Sequence, residues 1–223
     1  MPSILPNLEG PVRKPASGGP ALSLVVFLHG FGADGDDLIG LAPYWAPLLP
    51  DTEFLSPHAP YPCEMAPFGR QWFSLQSHAP ESMLAGARAT APLIDAFLDD
   101  TLVARNLDES RLALVGFSQG TMMSLYVGLR RAKPLAAIIG YSGALLGAET
   151  LAGEIRSRPP VLLVHGDADP IVPVSALPHA VRALEAAGVE VEELLRPGLA
   201  HGIDQAGLER GGLFLRNALA RSP

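Results

Sequence analysis

Two kinds of apolar pattern alternate along this chain. Short unbroken runs, "LSLVVFL" (22–28), "TEFLS" (52–56), "RLALVG" (111–116), "LAAIIGYS" (135–142) and "PVLLVHG" (160–166), are separated by stretches whose apolar positions recur at spacings of three and four. An unbroken run of this length suits a strand covered on both faces, as in a parallel sheet. "VEVEELL" (189–195) alternates apolar and acidic residues instead, which suits a strand nearer the sheet edge. Between the runs, Leu93, Ile94, Phe97, Leu98 and Leu102 form one helical stripe within 82–106, and Pro92 should kink that helix or start its main segment. "QGTMMSLYVGLRR", 174–188 and "DQAGLERGGLFLRNALA" read as further helices, 149–156 as a weak one, and "LIGLAPYWAPLL" as a helical stretch broken by Pro43 and Pro47. Met122, Met123 and Tyr126 read as core. Parallel strands need long crossovers, so this alternation predicts a mostly parallel α/β sheet with helices on both faces. Nothing divides the chain: 1–223 is expected to be a single domain, with a Pro/Gly/Ser-rich arm at 1–20 holding at most one short strand.

Composition narrows the picture. Of 223 residues, 48% are apolar and 17% charged, enough to build a sizeable core. The longest apolar stretch, "LAAIIGYSGALLGA", is too short and too interrupted to span a bilayer, and the first residues show no leader pattern. The lone Cys63 excludes an internal disulfide. A soluble, cytoplasmic protein with no stable membrane insertion is expected. The net charge of −7, with no basic run, argues against nucleic acid and anionic membrane surfaces.

The chemistry centres on "VGFSQG" (115–120). Ser118 stands where a strand passes directly into a helix, at the carboxyl end of the sheet where ligands of α/β proteins bind. A turn that sharp crowds the residues two positions away on each side, and both are glycine, Gly116 and Gly120. The alternative is a serine that merely caps the helix. As a nucleophile Ser118 would need a base, and the base an orienting carboxylate. His201 in "LRPGLAHGID" follows the last strand, and Asp167 and Asp169 in "LLVHGDADPIVP" follow the one before it. Asp169 is preferred, because Pro170 and Pro173 stiffen the loop that presents it, whereas Asp167 could bond the loop backbone. Of the other histidines, His58, His78 and His179 follow no comparable strand end, and His29 and His165 sit where an imidazole holds a loop by hydrogen bonds. The oxyanion of an acyl transfer needs donors; the N–H of Gln119, after the serine, and that of Phe31, in the glycine-rich "HGFG", are placed to supply them. No phosphate-binding loop and no cluster with metal-ligand spacing is present in the sequence.

Taken together, "LHGFGADGDDL", "PFGRQWFSL", "VGFSQGTMMSL", "HGDADPIVP" and "AHGI" resemble the phospholipase/carboxylesterase family of α/β-hydrolases, over about residues 20–215. The chain order Ser, Asp, His agrees with it. The resemblance implies an α/β-hydrolase fold without a large lid, and hydrolysis of carboxylic esters or thioesters. It places the nucleophile on Ser118, the acid on Asp169, the base on His201, the oxyanion donors on Phe31 and Gln119, and a residue lining the acyl or alcohol site on Trp72. It implies no metal, no cofactor and, often, a homodimer. Thr121 departs from the small Gly or Ala common in relatives, and is expected to alter packing beneath the nucleophile.

The segment 57–80, with five prolines, reads as a long ordered loop. Of its aromatics Phe68, Trp72 and Phe73, two are expected to pin the loop and Trp72 to wall the acyl pocket. An open or shallow site favours short- to medium-chain substrates. Competing readings are a lysophospholipase or acyl-protein thioesterase with long-chain preference, a non-catalytic binding module on a hydrolase scaffold, and a dienelactone-type hydrolase, which would want Cys where Ser118 stands.

Overall fold

The computed structural model describes residues 7–220. Of the expected arm and leader region, residues 1–6 lie outside them, as do 221–223 at the end of the expected domain. In chain order the elements are β1 (Val12–Arg13), β2 (Ser23–Leu28), α1 (Gly35–Leu38), α2 (Ala42–Trp45), β3 (Thr52–Leu55), β4 (Tyr61–Pro62), β5 (Arg70–Gln71), α3 (Pro80–Arg105) and β6 (Leu112–Phe117). There follow α4 (Gln119–Gly128), β7 (Ala137–Tyr141), α5 (Leu151–Glu154), β8 (Val161–Gly166), α6 (Ala176–Ala186), β9 (Val191–Arg196) and α7 (Gln205–Ala220).

Seven strands form one sheet in the order β1-β3-β2-β6-β7-β8-β9, parallel except for β1. The fold is that of an α/β-hydrolase, with no large lid among the described residues. All six residues of β2 are buried, and their alternation feeds two cores. Val25 and Phe27 join Trp45 of α2 and Leu215 and Leu219 of α7 on one face. Leu24, Val26 and Leu28 join Ile94 and Leu98 of α3 and Met123 and Val127 of α4 on the other. A third cluster seats Leu177, Ala180 and Leu184 of α6 against Ile138, Val161 and Leu163. The alternating run forms β9, at the sheet edge as its pattern predicts.

Two expectations change. Helix α3 does not start at Pro92 but is one helix from Pro80 to Arg105 with Pro92 inside it. Proline at 92 removes the bond to the carbonyl of Arg88, yet Pro92 and Arg88 are both exposed, so water can satisfy that carbonyl, while Ala87, Ala91 and Ile94 anchor the opposite face. The segment 57–80 is not purely a loop. It contains the two-stranded ribbon β4–β5, pairing Tyr61 with Gln71 and Pro62 with Arg70.

Candidate active site

The parallel register brings the carboxyl ends of β2, β6, β7, β8 and β9 to one edge of the sheet, and the singled-out residues lie there. Ser118 joins β6 to α4 with φ 54° and ψ −116°, a conformation L-residues rarely adopt. A side chain on Gly116 would collide with Gly120, and one on Gly120 with the carbonyl of Leu28. Gly116 is therefore required by the turn, as the sequence predicts, and Gly120 by the close approach of the end of β2. The loop after β2 passes close on the other side: a Cβ at Gly30 would lie 3.4 Å from that of Ser118.

His201 follows β9 and Asp169 follows β8. Nδ1 of His201 lies 2.8 Å from Oδ2 of Asp169, whose side chain is wholly buried. The other carboxylate oxygen accepts the N–H groups of Ile171 (2.8 Å) and Val172 (2.9 Å), a turn that Pro170 helps to set. Burial alone would raise this carboxyl; the hydrogen bonds from His201, Val172 and Ile171 outweigh it and hold Asp169 below the usual carboxylate range. Asp167 points elsewhere and accepts the N–H of Gly198 at 2.7 Å. With Nδ1 engaged, Nε2 of His201 is the nitrogen left for a proton from substrate or serine. It makes no hydrogen bond to Ser118. The two segments nevertheless touch, for the ring of Phe117 packs 4.9 Å from the imidazole of His201. Sequence reading missed Phe117; its place directly before the serine was the available signal.

The N–H groups of Phe31 and Gln119 have no acceptor among the described residues. The Gln119 side chain is locked: its Oε1 accepts the Trp72 N–H and its Nε2 donates to the Phe73 carbonyl, each at 2.8 Å. The Trp72 indole donates to the carbonyl of His29 at 2.8 Å, and the Trp72 carbonyl accepts the Thr90 hydroxyl at 2.7 Å. Trp72 has no exposed surface. Its expected role as a pocket wall is therefore corrected: it is buried and ties Gln119, at the start of α4, to the loop after β2. The most exposed aromatic of its segment is Phe68, 92% accessible, next to Gly69, which abuts Gly32.

The remaining histidines divide as their contexts predict, with one adjustment. His29 Nε2 accepts the Ala59 N–H and its Nδ1 donates to the Gly30 carbonyl, so the ring must be neutral; burial pushes its pKa down to about 4. His165 donates from Nε2 to the Val172 carbonyl, 2.9 Å away. His78 and His179 are exposed. His58 lies three residues past β3 and accepts the Gly35 N–H. It approaches Asp34 and Asp36, and ligand atoms of all three lie within 4.8 Å of one another, a grouping the linear sequence did not display. Asp34 and His58 already accept turn N–H groups there, and neither Ser118 nor His201 belongs to the cluster.

Thr121 packs beneath the Ser118 turn. Its hydroxyl lies 2.9 Å from the Gly116 carbonyl and 2.8 Å from that of Tyr141, sharing one hydrogen between β6 and β7. Its side chain occupies the space that a Cβ on Gly140 or Gly143 would need.

The model of the family described as phospholipase/carboxylesterase matches residues 15–219. This chain belongs to the phospholipase/carboxylesterase family. It is accordingly a hydrolase of carboxylic esters or thioesters. Acyl-protein thioesterase 1 of Schizosaccharomyces pombe is 33% identical over 67% of this chain and 69% of the relative. Esterase YpfH of Escherichia coli is 28% identical over 85% and 80%. Among solved structures, esterase PE8 is 45% identical, covers 96% of this chain and 100% of its own, and superposes with a TM-score of 0.92. In this family member no helix among the described residues is long and apolar enough to cross a membrane.

Proposed function

We propose that this chain acts as one α/β-hydrolase domain that cleaves short- to medium-chain carboxylic esters or thioesters through a covalent acyl-enzyme on Ser118. The observation that carries the reading is the 2.8 Å contact between Asp169 and His201, at the sheet edge that also holds the strained Ser118 turn. The Ser118 hydroxyl attacks the carbonyl carbon and His201 Nε2 takes its proton. The oxyanion is stabilised by the N–H groups of Phe31 and Gln119, the latter at the first turn of α4, whose dipole favours negative charge. As the tetrahedral intermediate collapses, His201 returns the proton to the leaving alcohol or thiol. Water repeats the sequence to release the acid. Asp169 stays ionised, orients the imidazole and stabilises the imidazolium. No metal or cofactor enters this scheme.

The substrate range rests on the rim. Met65 and Phe68, on the segment whose Gly69 abuts Gly32 beside Phe31, and Ile171, two residues after Asp169, are largely exposed. They offer apolar contact without enclosure, which supports modest acyl chains. A long-chain substrate is the second reading, favoured by the names of the thioesterase relatives. Esters graded from about two to sixteen carbons separate the two, since each methylene that is truly buried adds about 0.8 kcal/mol. A rise in kcat/KM that stops at medium length supports the first; a continued rise to sixteen carbons supports the second.

The engine has its own test. The imidazole must be neutral to accept a proton, so kcat/KM on a neutral ester should be lower in acid than at neutral pH and then level off. Asp169, held below the usual carboxylate range, stays ionised at neutral pH. A profile recorded with and without EDTA should be superimposable. A flat profile from pH 5 to 9, or loss of activity on chelation, would contradict a histidine-activated serine.

A further inference from the structure

We propose that Ser142 is a positioning residue for His201, holding the base-bearing loop through its hydroxyl; the inference rests on the Ser118–His201–Asp169 reading above. Three non-glycine residues among those described have positive φ: Asn106, Ser118 and Ser142. Asn106 ends helix α3, a place where asparagine commonly adopts that conformation. The other two are neighbours across the β6–β7 pair, since the N–H of Ser118 donates to the carbonyl of Tyr141 at 2.9 Å.

Ser142 has φ 47° and is 1% exposed. Glycine would adopt this conformation without strain, yet the position carries a side chain. That side chain makes one directed contact: its hydroxyl donates to the carbonyl of Gly202, 3.2 Å away, the residue after His201. The Ser142 backbone is itself fixed. Its N–H donates to the Val164 carbonyl at 2.9 Å, and the following Gly143 passes so close beneath the nucleophile turn that a Cβ there would collide with Thr121.

The loop that receives this bond runs from Arg196 to Asp204. It is tied by the Arg196–Asp204 ion pair at 2.8 Å and, on the side before His201, by Gly198 N–H on Asp167, by Ala168 N–H on the Leu199 carbonyl at 3.1 Å and by the close approach of Leu199 and Ala200 to Gly166. Around Gly202 nothing packs within 4 Å of where a side chain would begin. The imidazole is held by Asp169 at one nitrogen and by Phe117 at its ring, neither of which fixes the backbone beside it. The Ser142 hydroxyl fixes that backbone relative to β7. Because Tyr141, one residue earlier, accepts the N–H of Ser118, a single dipeptide references both nucleophile and base to one strand end. Strain retained at such a site is a mark of positioning.

Two substitutions separate positioning from scaffolding. Ser142→Gly removes the hydroxyl while relieving the backbone; Ser142→Ala removes the hydroxyl and leaves the backbone as it is. Ser142→Gly should keep or raise the thermal midpoint while lowering kcat about tenfold, with KM changed less than about twofold, since misplacing a catalytic group costs turnover rather than ground-state binding. Ser142→Ala should lower kcat similarly. The deciding arm repeats Ser142→Gly in a His201→Ala background, where the residual rate should not fall further, because the two changes act through one group. Unchanged kcat in Ser142→Gly, or an equal loss with and without His201, would overturn the proposal. Fluorophosphonate labelling of the wild-type protein runs in parallel. If it does not modify Ser118, the catalytic reading itself fails and takes this inference with it; if Ser118 is modified and the cycle shows no coupling, this inference alone fails.

Discussion

Ser118→Ala should lower ester hydrolysis by roughly 10⁴- to 10⁶-fold while leaving the fold intact. The size of the loss follows from the way nucleophile, base and acid work as a unit: without the hydroxyl, His201 has no proton to take, and only the oxyanion donors and substrate binding continue to contribute. The fold should survive because alanine retains the Cβ and removes no hydrogen bond made by the Ser118 side chain. The turn is held by its backbone, through the Ser118 N–H on Tyr141 and the Thr121 and Met122 N–H groups on the Ser118 carbonyl. Circular dichroism and the thermal midpoint should therefore match the wild type while steady-state rates do not. Retained hydrolysis in a preparation free of host esterases would remove Ser118 from the mechanism.

Asp169→Asn should cost on the order of 10⁴ in kcat, and Asp167→Asn very little. Both carboxylates lie in the loop after β8, so the comparison isolates what each one touches. An amide at 169 can present its NH₂ to Nδ1 of His201 and favour the wrong tautomer, leaving Nε2 protonated and unable to act as base. An amide at 167 still offers an oxygen to the Gly198 N–H, the bond made by Asp167 Oδ1. Parallel kcat measurements on the two purified variants decide the matter, and the reverse ranking would assign the acid to the wrong residue.

What could be read from the sequence, and what could not, follows from where the information resides. The strands β2, β6, β7 and β8 were legible because burial on both faces demands unbroken apolar runs. The Ser118 turn was legible because its own crowding forces glycine at 116 and the neighbouring end of β2 forces glycine at 120, and steric necessity leaves a mark in the sequence. Asp169 could be preferred to Asp167 from the prolines around it. Helix α7 was recognisable despite its glycines; Gly211 and Gly212 let it close on Tyr141 and Trp45, where a Cβ would press into those rings. The ribbon β4–β5 was not legible, since two-residue strands among prolines carry no periodic signal. Nor was the true position of Trp72. Whether a loop aromatic faces a pocket or the interior depends on a partner such as the His29 carbonyl, which is remote in sequence. The passage of α3 through Pro92 depended on which face of the helix the proline occupies, and the contribution of Ser142 on a backbone angle that no pattern encodes.

The central claim is that Ser118 is a nucleophile activated by His201. Its most direct measurement is mass spectrometry of the protein after exposure to a fluorophosphonate, intact and as peptides, for wild type, Ser118→Ala and His201→Ala. The account predicts one equivalent of label on wild type, located on Ser118, none on Ser118→Ala, and labelling of His201→Ala slowed by orders of magnitude. Label on another residue, no label on an enzyme that turns over ester, or equal labelling rates with and without His201 would contradict it.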